Sequence, residues 1–158
     1  MNELGDHEIQ FIHEMNIKIQ HLDKLDGLSP ETKQMIQKGV ETTKNNSEII
    51  LNIAINYGSR NEILKAIRSI AAENAKPQDI DEEFFYKYLY TANIPDPDLI
   101  IRTGGEMRLS NFLLWQAAYT EFYVTPTLWS DFDSAEIEKT LSIYSQRQRR
   151  LRGLEPEG

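Results

Sequence analysis

The sequence predicts an α/β domain, with a mostly parallel sheet of about four strands flanked by helices. Two observations carry this prediction. Short apolar runs, long enough only for strands, alternate along the chain with longer segments of helical periodicity. One run, at residues 49–56, is nearly continuous and rich in β-branched residues, which is typical of a parallel strand buried on both faces. At 158 residues the chain suits a single domain, 1–158, with a sizeable core.

Periodicity and turn residues place the individual elements. Alternating or continuous apolar runs predict strands at residues 16–22, 49–56, 99–102 and 121–125. Helical periodicity predicts helices at residues 1–14, 29–44, 61–73, 81–89, 112–119 and 133–152. N-cap residues support three of these helices, because Ser29 precedes Pro30, Asp81 precedes two glutamates, and Asp133 lies three residues before Glu136.

The segment around a Gly-Gly pair at 104–105 is the clearest candidate for a binding site. The pair follows a short apolar strand and precedes residues 112–119, the longest apolar stretch, which predicts a buried helix. A strand, a glycine turn and a helix point free backbone N–H groups at an anion. Arg102 and Arg108 flank the turn, and guanidinium groups match phosphate oxygens bidentately. We interpret the segment as a diphosphate-binding site, with the Ser110 hydroxyl as a further donor.

A plainer interpretation of the same residues stays open at this point. Gly-Gly pairs between strands and helices are common in α/β proteins, and both arginines could be ordinary surface residues. Ligands of parallel sheets, however, sit beyond the carboxyl ends of the strands. Because residues 57–60 and 102–106 both follow predicted strands, this rule favours a site.

Composition bounds the class of function. Apolar residues make up 40% of the chain and charged residues 27%, and no apolar run approaches the length of a membrane span. The chain has no cysteine, which excludes disulfides and thiolate metal sites and predicts a cytoplasmic location. The net charge of −8 disfavours nucleic-acid binding, and the dipole of a last helical turn explains the arginines at 147–152. An anionic ligand would therefore need a local basic pocket.

Three segments of the chain form a specific set. They are Asn-Ile-Ala-Ile-Asn-Tyr-Gly-Ser-Arg at 52–60, Asp-Leu-Ile-Ile-Arg-Thr-Gly-Gly-Glu-Met-Arg-Leu-Ser-Asn-Phe-Leu-Leu-Trp-Gln at 98–116, and Ala-Tyr-Thr-Glu-Phe-Tyr at 118–123 with Leu-Trp-Ser-Asp-Phe at 128–132. In order and spacing they closely resemble the cis-prenyltransferases, of which undecaprenyl diphosphate synthase is the best-known member. The resemblance covers nearly the whole chain, more weakly in its early part, and implies a cis-prenyltransferase fold.

The resemblance also implies a reaction and a set of site residues. Isopentenyl diphosphate attacks an allylic prenyl diphosphate, whose diphosphate leaves with the help of Mg²⁺, and the chain grows with cis geometry. The residues implied to hold the diphosphate of isopentenyl diphosphate are Arg102, Arg108 and Ser110, with Glu106 in support. Glu121 matches the acidic residue associated with magnesium. The family also forms homodimers, and residues 110–115 would lie near that interface.

One family feature does not occur in this sequence. The loop Asp-Gly-Asn-x-Arg-Trp cradles the allylic diphosphate and carries the essential aspartate, and Met1 aligns past the family's first third. We therefore expect an N-terminally truncated fold without a catalytic residue of its own. In one hypothesis the chain binds isopentenyl diphosphate and needs a partner chain or a missing N-terminal segment for prenyl transfer. In the other it is a non-catalytic regulatory subunit of a heteromeric cis-prenyltransferase.

The same resemblance sets the expected partners. They are isopentenyl diphosphate, an allylic prenyl diphosphate, and either a second copy or a chain that supplies the aspartate loop. A truncated sheet would expose an edge and an apolar surface, so that self-association or a partner should cover it. We expect no nucleic-acid partner and at most peripheral contact with a membrane.

Overall fold

The structure, a computed structural model, describes residues 3–23 and 25–147. Within these residues the predicted fold class is confirmed, because the four strands form two parallel pairs and five α-helices accompany them. The chain divides into two compact units, Met1–Asn93 and Ile94–Gly158. The single domain stays a prediction.

The first unit is built on a parallel pair of strands. β1 (Ile17–Leu22) pairs with β2 (Ile49–Ala54) along its whole length. Two helices, α1 (Glu3–Glu14) and α2 (Pro30–Thr43), pack against β1 and against each other. The predicted N-cap of α2 is confirmed, because the Ser29 hydroxyl accepts a hydrogen bond from a backbone N–H of the first turn at 3.2 Å.

The rest of the first unit packs on a small core of its own. It contains α3 (Ser59–Ala72), a 3-10 helix (Pro77–Asp79) and α4 (Glu82–Tyr86). The core residues are Ala66, Ile70, Phe85 and Leu89. Asp81 caps α4 as predicted, by accepting a hydrogen bond from the N–H of Phe84 at 2.8 Å.

The predicted burial of β2 on both faces is wrong for the first half of the strand. Ile49 is 59% exposed and Ile50 54% exposed, with Leu51 also on the surface. The reason is that α1 and α2 cover β1, while β2 pairs with β1 alone among the described strands. The apolar run correctly indicated a strand, but apolar content alone does not show which neighbour covers it.

The second unit carries the other pair of strands. β3 (Leu99–Arg102) pairs in parallel with β4 (Glu121–Val124), with Leu99 opposite Glu121 and Arg102 opposite Val124. A 3-10 helix (Trp129–Asp131) precedes α5 (Ser134–Gln146), which packs against β4. The predicted N-cap of α5 is confirmed, because the Asp133 carboxylate accepts a hydrogen bond from a backbone N–H at 3.1 Å. The predicted end of this last helix, near residue 152, lies outside the described residues.

The buried helix predicted at residues 112–119 is wrong. The segment is a series of turns, and positive φ angles at Ser110, Asn111 and Leu113 are incompatible with a continuous right-handed helix. The segment is not buried as a whole either, since Tyr119 is 72% exposed while Gln116 is 1% exposed. Among the described residues, no helix is both long and apolar enough to cross a bilayer.

Candidate functional site

The four residues predicted to bind a diphosphate lie together just beyond the carboxyl end of β3, and we call them the arginine cluster: Arg102, Glu106, Arg108 and Ser110. Arg102 is at its centre. Its Nη1 donates to the backbone oxygen of Arg108 at 2.6 Å and to the Ser110 hydroxyl at 3.2 Å, and its Nη2 pairs with Glu106 Oε2 at 3.2 Å. The sequence thus correctly predicted that these residues converge, while their roles stay predictions.

The charges of the cluster do not cancel. Arg108 Nη2 pairs with the same carboxylate oxygen, Glu106 Oε2, that Arg102 contacts. Two guanidinium groups therefore share one carboxylate, and the cluster keeps one net positive charge. The Arg108 side chain is 63% exposed and that of Arg102 is 27% exposed, so solvent screens the Arg108 charge more strongly.

One donor of Arg102 has no acceptor. Its Nε is buried and makes no hydrogen bond with the described residues, although both of its terminal nitrogens do. A buried donor without an acceptor costs roughly 1–3 kcal/mol.

The backbone of the glycine turn does not face an anion, and this part of the sequence prediction is wrong. The N–H of Gly104 donates to the Thr127 backbone oxygen at 2.9 Å, and the N–H of Gly105 donates to that of Thr125 at 2.9 Å. Both glycines have positive φ, +82° and +77°, which side chains with a Cβ resist. The two glycine N–H groups therefore hold the turn against the segment after β4, and the candidate anion-binding groups are side chains.

An open pocket of about 470 Å³ lies beside the arginine cluster. Arg102, Arg108 and Ser110 line it together with mostly apolar side chains, namely Ile100, Ile101, Met107, Leu109, Phe112, Phe122 and Val124. This apolar wall was not among the features predicted from the sequence. Strand alternation was the available signal. Paired residues in adjacent strands project to the same face of the sheet, and so does every second residue along one strand. The pocket can accept an anionic group with a hydrocarbon part attached.

Glu121, which the resemblance connects with magnesium, lies away from the cluster. It begins β4, whereas Arg102 ends β3, and the alternation places the two side chains on opposite faces of the strand pair. Its Oε2 pairs with Arg147 Nη1 at 2.8 Å. In the part of the chain that the structure describes, no group of three or more His, Asp or Glu side chains could hold a metal ion. Because the Arg147 guanidinium already neutralises this carboxylate, the surroundings of Glu121 do not favour Mg²⁺, and its predicted metal role stays a prediction.

A second, polar pocket of about 370 Å³ lies at the carboxyl end of the β1–β2 pair, lined by Asp23, Asp26, Asn56, Asn61, Lys65, Arg68 and Tyr90. Lys65 Nζ lies 4.1 Å from the centre of the Tyr90 ring. The pKa of Tyr90 is raised above its ordinary value, chiefly by burial and next by the hydrogen bond to Asp23. Among the described residues that line this pocket, two carboxylates balance two cations, whereas the arginine cluster has one more cation than carboxylates.

Comparison with known proteins defines the class. Residues 1–152 match the sequence model of the Prenyltransf family, described as "Putative undecaprenyl diphosphate synthase". The chain belongs to this family of prenyltransferases. The predicted family is therefore confirmed.

Individual relatives agree with the family match. The chain is 45% identical over 151 residues to an isoprenyl transferase of Heliobacterium mobile, covering 93% of this chain and 58% of that protein. It is 48% identical over 154 residues to an isoprenyl transferase of Streptococcus pyogenes serotype M6, covering 92% and 62%. A solved lavandulyl diphosphate synthase from Lavandula x intermedia, in complex with dimethylallyl diphosphate, superimposes with a TM-score of 0.87 at 34% identity, over 93% of this chain and 66% of that one. The chain thus spans about three fifths of the length of these curated relatives.

Proposed function

We propose that the arginine cluster binds the diphosphate group of an isoprenoid substrate, and that this substrate is isopentenyl diphosphate. The observation that carries the proposal is the sharing of one carboxylate by two guanidinium groups, beside an apolar pocket. Family membership supports the choice of substrate, since the relatives are named isoprenyl transferases and one solved relative holds a prenyl diphosphate.

The chemistry of binding follows from the charges. A diphosphate brings more negative charge than the Glu106 carboxylate and several more acceptor oxygens, so it can take over the contacts of Arg102 and Arg108 with that carboxylate. The Ser110 hydroxyl lies within reach of the same Arg102 nitrogen and supplies a further donor. The short hydrocarbon group of isopentenyl diphosphate would lie against the apolar wall, where burial of apolar area contributes to affinity.

We propose further that the chain supplies one substrate-binding half of a prenyl-transfer reaction. The complementary half, with the Asp-Gly-Asn-x-Arg-Trp loop, would come from a partner chain or from additional sequence, and would hold the allylic prenyl diphosphate. The exposed apolar residues of β2 support such a complement, because large exposed apolar surfaces in proteins are usually covered. A cytoplasmic location, and a homodimer interface near residues 110–115, belong to the same proposal.

The alternative function is a non-catalytic subunit that stabilises a heteromeric cis-prenyltransferase. A retained diphosphate pocket is compatible with both roles. Mixing the chain with a full-length cis-prenyltransferase carrying an inactivated arginine motif separates them. Restored prenyl transfer from farnesyl diphosphate would show that this chain's own cluster supports catalysis, and stabilisation of the partner without restored activity would favour the subunit role.

Magnesium is part of the proposed reaction through the family resemblance alone. When bound, it would neutralise charge on the departing diphosphate. No step is assigned here to Glu121, whose carboxylate pairs with Arg147.

Calorimetric titration tests the binding proposal directly. We expect isopentenyl diphosphate to bind the purified chain, and inorganic pyrophosphate to bind more weakly because it cannot use the apolar wall. Arg68→Met is the matched control, since it removes an exposed guanidinium from the polar pocket of the first unit and should leave binding unchanged. Absence of heat with both ligands, or equal loss in the control, would refute the assignment.

A further inference from the structure

The ion pair between Glu121 and Arg147 joins the first residue of strand β4 to the C-cap of helix α5. We propose that Glu121 serves this chain as the anchor of helix α5 on strand β4, and that this pairing excludes Mg²⁺ from the Glu121 carboxylate. The inference does not depend on diphosphate binding by the arginine cluster, because the two sets of residues share no contact among the interactions described above.

The contacts show how the anchor works. Arg147 Nη1 pairs with Glu121 Oε2 at 2.8 Å and also donates to the backbone oxygen of Phe122 at 2.7 Å. One guanidinium nitrogen therefore holds the first two residues of β4 at once. Arg147 is itself the C-cap of α5, and its own N–H donates to the Tyr144 oxygen at 3.1 Å. A cation at this position also interacts favourably with the negative end of the helix dipole.

The surroundings of Glu121 favour an anchor over a metal site. Magnesium requires near-octahedral oxygen coordination and is usually held by one or two carboxylates together with substrate phosphates. The phosphate-binding groups proposed above lie at the other end and on the other face of the β3–β4 pair. One oxygen of Glu121 already faces a guanidinium, and Glu121 and Arg147 are only 32% and 38% exposed. A cation at Glu121 would lie beside the Arg147 guanidinium and be repelled by its charge.

The two possible roles of Glu121, anchor of α5 and metal ligand, predict different effects on the end of α5. If Glu121 is the anchor, Glu121→Gln weakens only the ion pair, whereas Arg147→Met removes the ion pair and the bond to Phe122, and the double variant loosens the end of α5 no further than Arg147→Met alone. Mg²⁺ has no effect on α5 in that case. If Glu121 is a metal ligand in this chain, Mg²⁺ frees Arg147 and loosens α5 in the same way as a mutation at Glu121.

Hydrogen–deuterium exchange of the full chain, followed on peptides from residues 134–147, measures this directly. We expect Glu121→Gln to raise exchange in the last turns of α5 about threefold, since partly exposed ion pairs are worth at most about 1 kcal/mol. Arg147→Met should raise exchange more, because it also removes the bond to Phe122. The double variant should match Arg147→Met alone. Gln146→Met is the matched control, because it introduces the same side chain one position earlier and the hydrogen bond of Gln146 stays within the helix.

Three outcomes would overturn the proposal. Exchange that stays unchanged in both single variants would show that the pair does not hold the helix. A double variant with the product of the two single effects would show that the residues act independently. Millimolar Mg²⁺ that raises exchange in the unmodified chain, but not in Glu121→Gln, would show that the carboxylate is a metal ligand. Circular dichroism of each variant separates local loosening from unfolding.

Discussion

The two ends of the β3–β4 pair show how similar side chains produce different sites. At the carboxyl end, Glu106 faces two guanidinium groups beside an open pocket. At the amino end, Glu121 faces one guanidinium, from Arg147. The first arrangement leaves one positive charge unbalanced, whereas the Glu121–Arg147 pair is neutral. The ratio of cations to carboxylates, more than the residue types themselves, therefore decides which end can bind an anion.

The largest expected effect comes from Arg102→Met. This change removes the guanidinium that contacts Glu106, Ser110 and the Arg108 backbone. We expect the affinity for isopentenyl diphosphate to fall about 50-fold, since hydrogen bonds to charged groups contribute roughly 1.5–3 kcal/mol. Calorimetry with isopentenyl diphosphate measures the change, and a loss below threefold would contradict the proposed centre of the site.

A smaller effect is expected for Arg108→Met. Its guanidinium is more exposed than that of Arg102 and makes one ion pair in the cluster. We expect about a tenfold loss of affinity, with a shallower salt dependence of binding because one phosphate-facing charge is gone. The comparison with Arg102→Met is the control. If Arg108→Met proved the more damaging change, the order of the two arginines in the site would be reversed.

The sequence predicted the elements of this fold well where local chemistry decides them. Ser29, Asp81 and Asp133 accept the cap hydrogen bonds expected of them, and all four strands lie where apolar runs placed them. The arginine cluster was also predictable, because a turn of a few residues between Arg102 and Arg108 must bring the two side chains close together. These features depend on neighbours in sequence.

Features that depend on distant neighbours could not be read in the same way. Residues 112–119 are apolar enough for a buried helix, yet positive φ angles at Asn111 and Leu113 set a series of turns instead. The N–H groups of Gly104 and Gly105 find acceptors on the segment after β4. An apolar segment or a glycine pair is therefore compatible with more than one backbone conformation. For the glycine pair, hydrogen bonds to residues distant in the sequence determine which conformation forms.

Glu106→Gln tests whether the net positive charge of the arginine cluster sets the affinity for a diphosphate. The amide oxygen can still accept from both guanidinium groups, while the negative charge that opposes a diphosphate is removed. We expect the affinity for isopentenyl diphosphate to rise about threefold and to depend more steeply on salt concentration. The reason is that the net charge of this partly exposed cluster increases by one unit. Glu106→Ala is the control for geometry. A loss of affinity in both variants would show that Glu106 acts by positioning the arginines.

The smallest effect is expected from Glu121→Gln on the same titration, carried out with Mg²⁺ present. Strand register places Glu121 at the opposite end of the pair from the cluster, and its partner is Arg147. Over a strand of four residues that separation is roughly 10 Å along the strand direction, about a Debye length at moderate ionic strength. We therefore expect the affinity to change less than twofold. A large loss that appeared only with Mg²⁺ would show that the two ends of the strand pair cooperate through a metal ion.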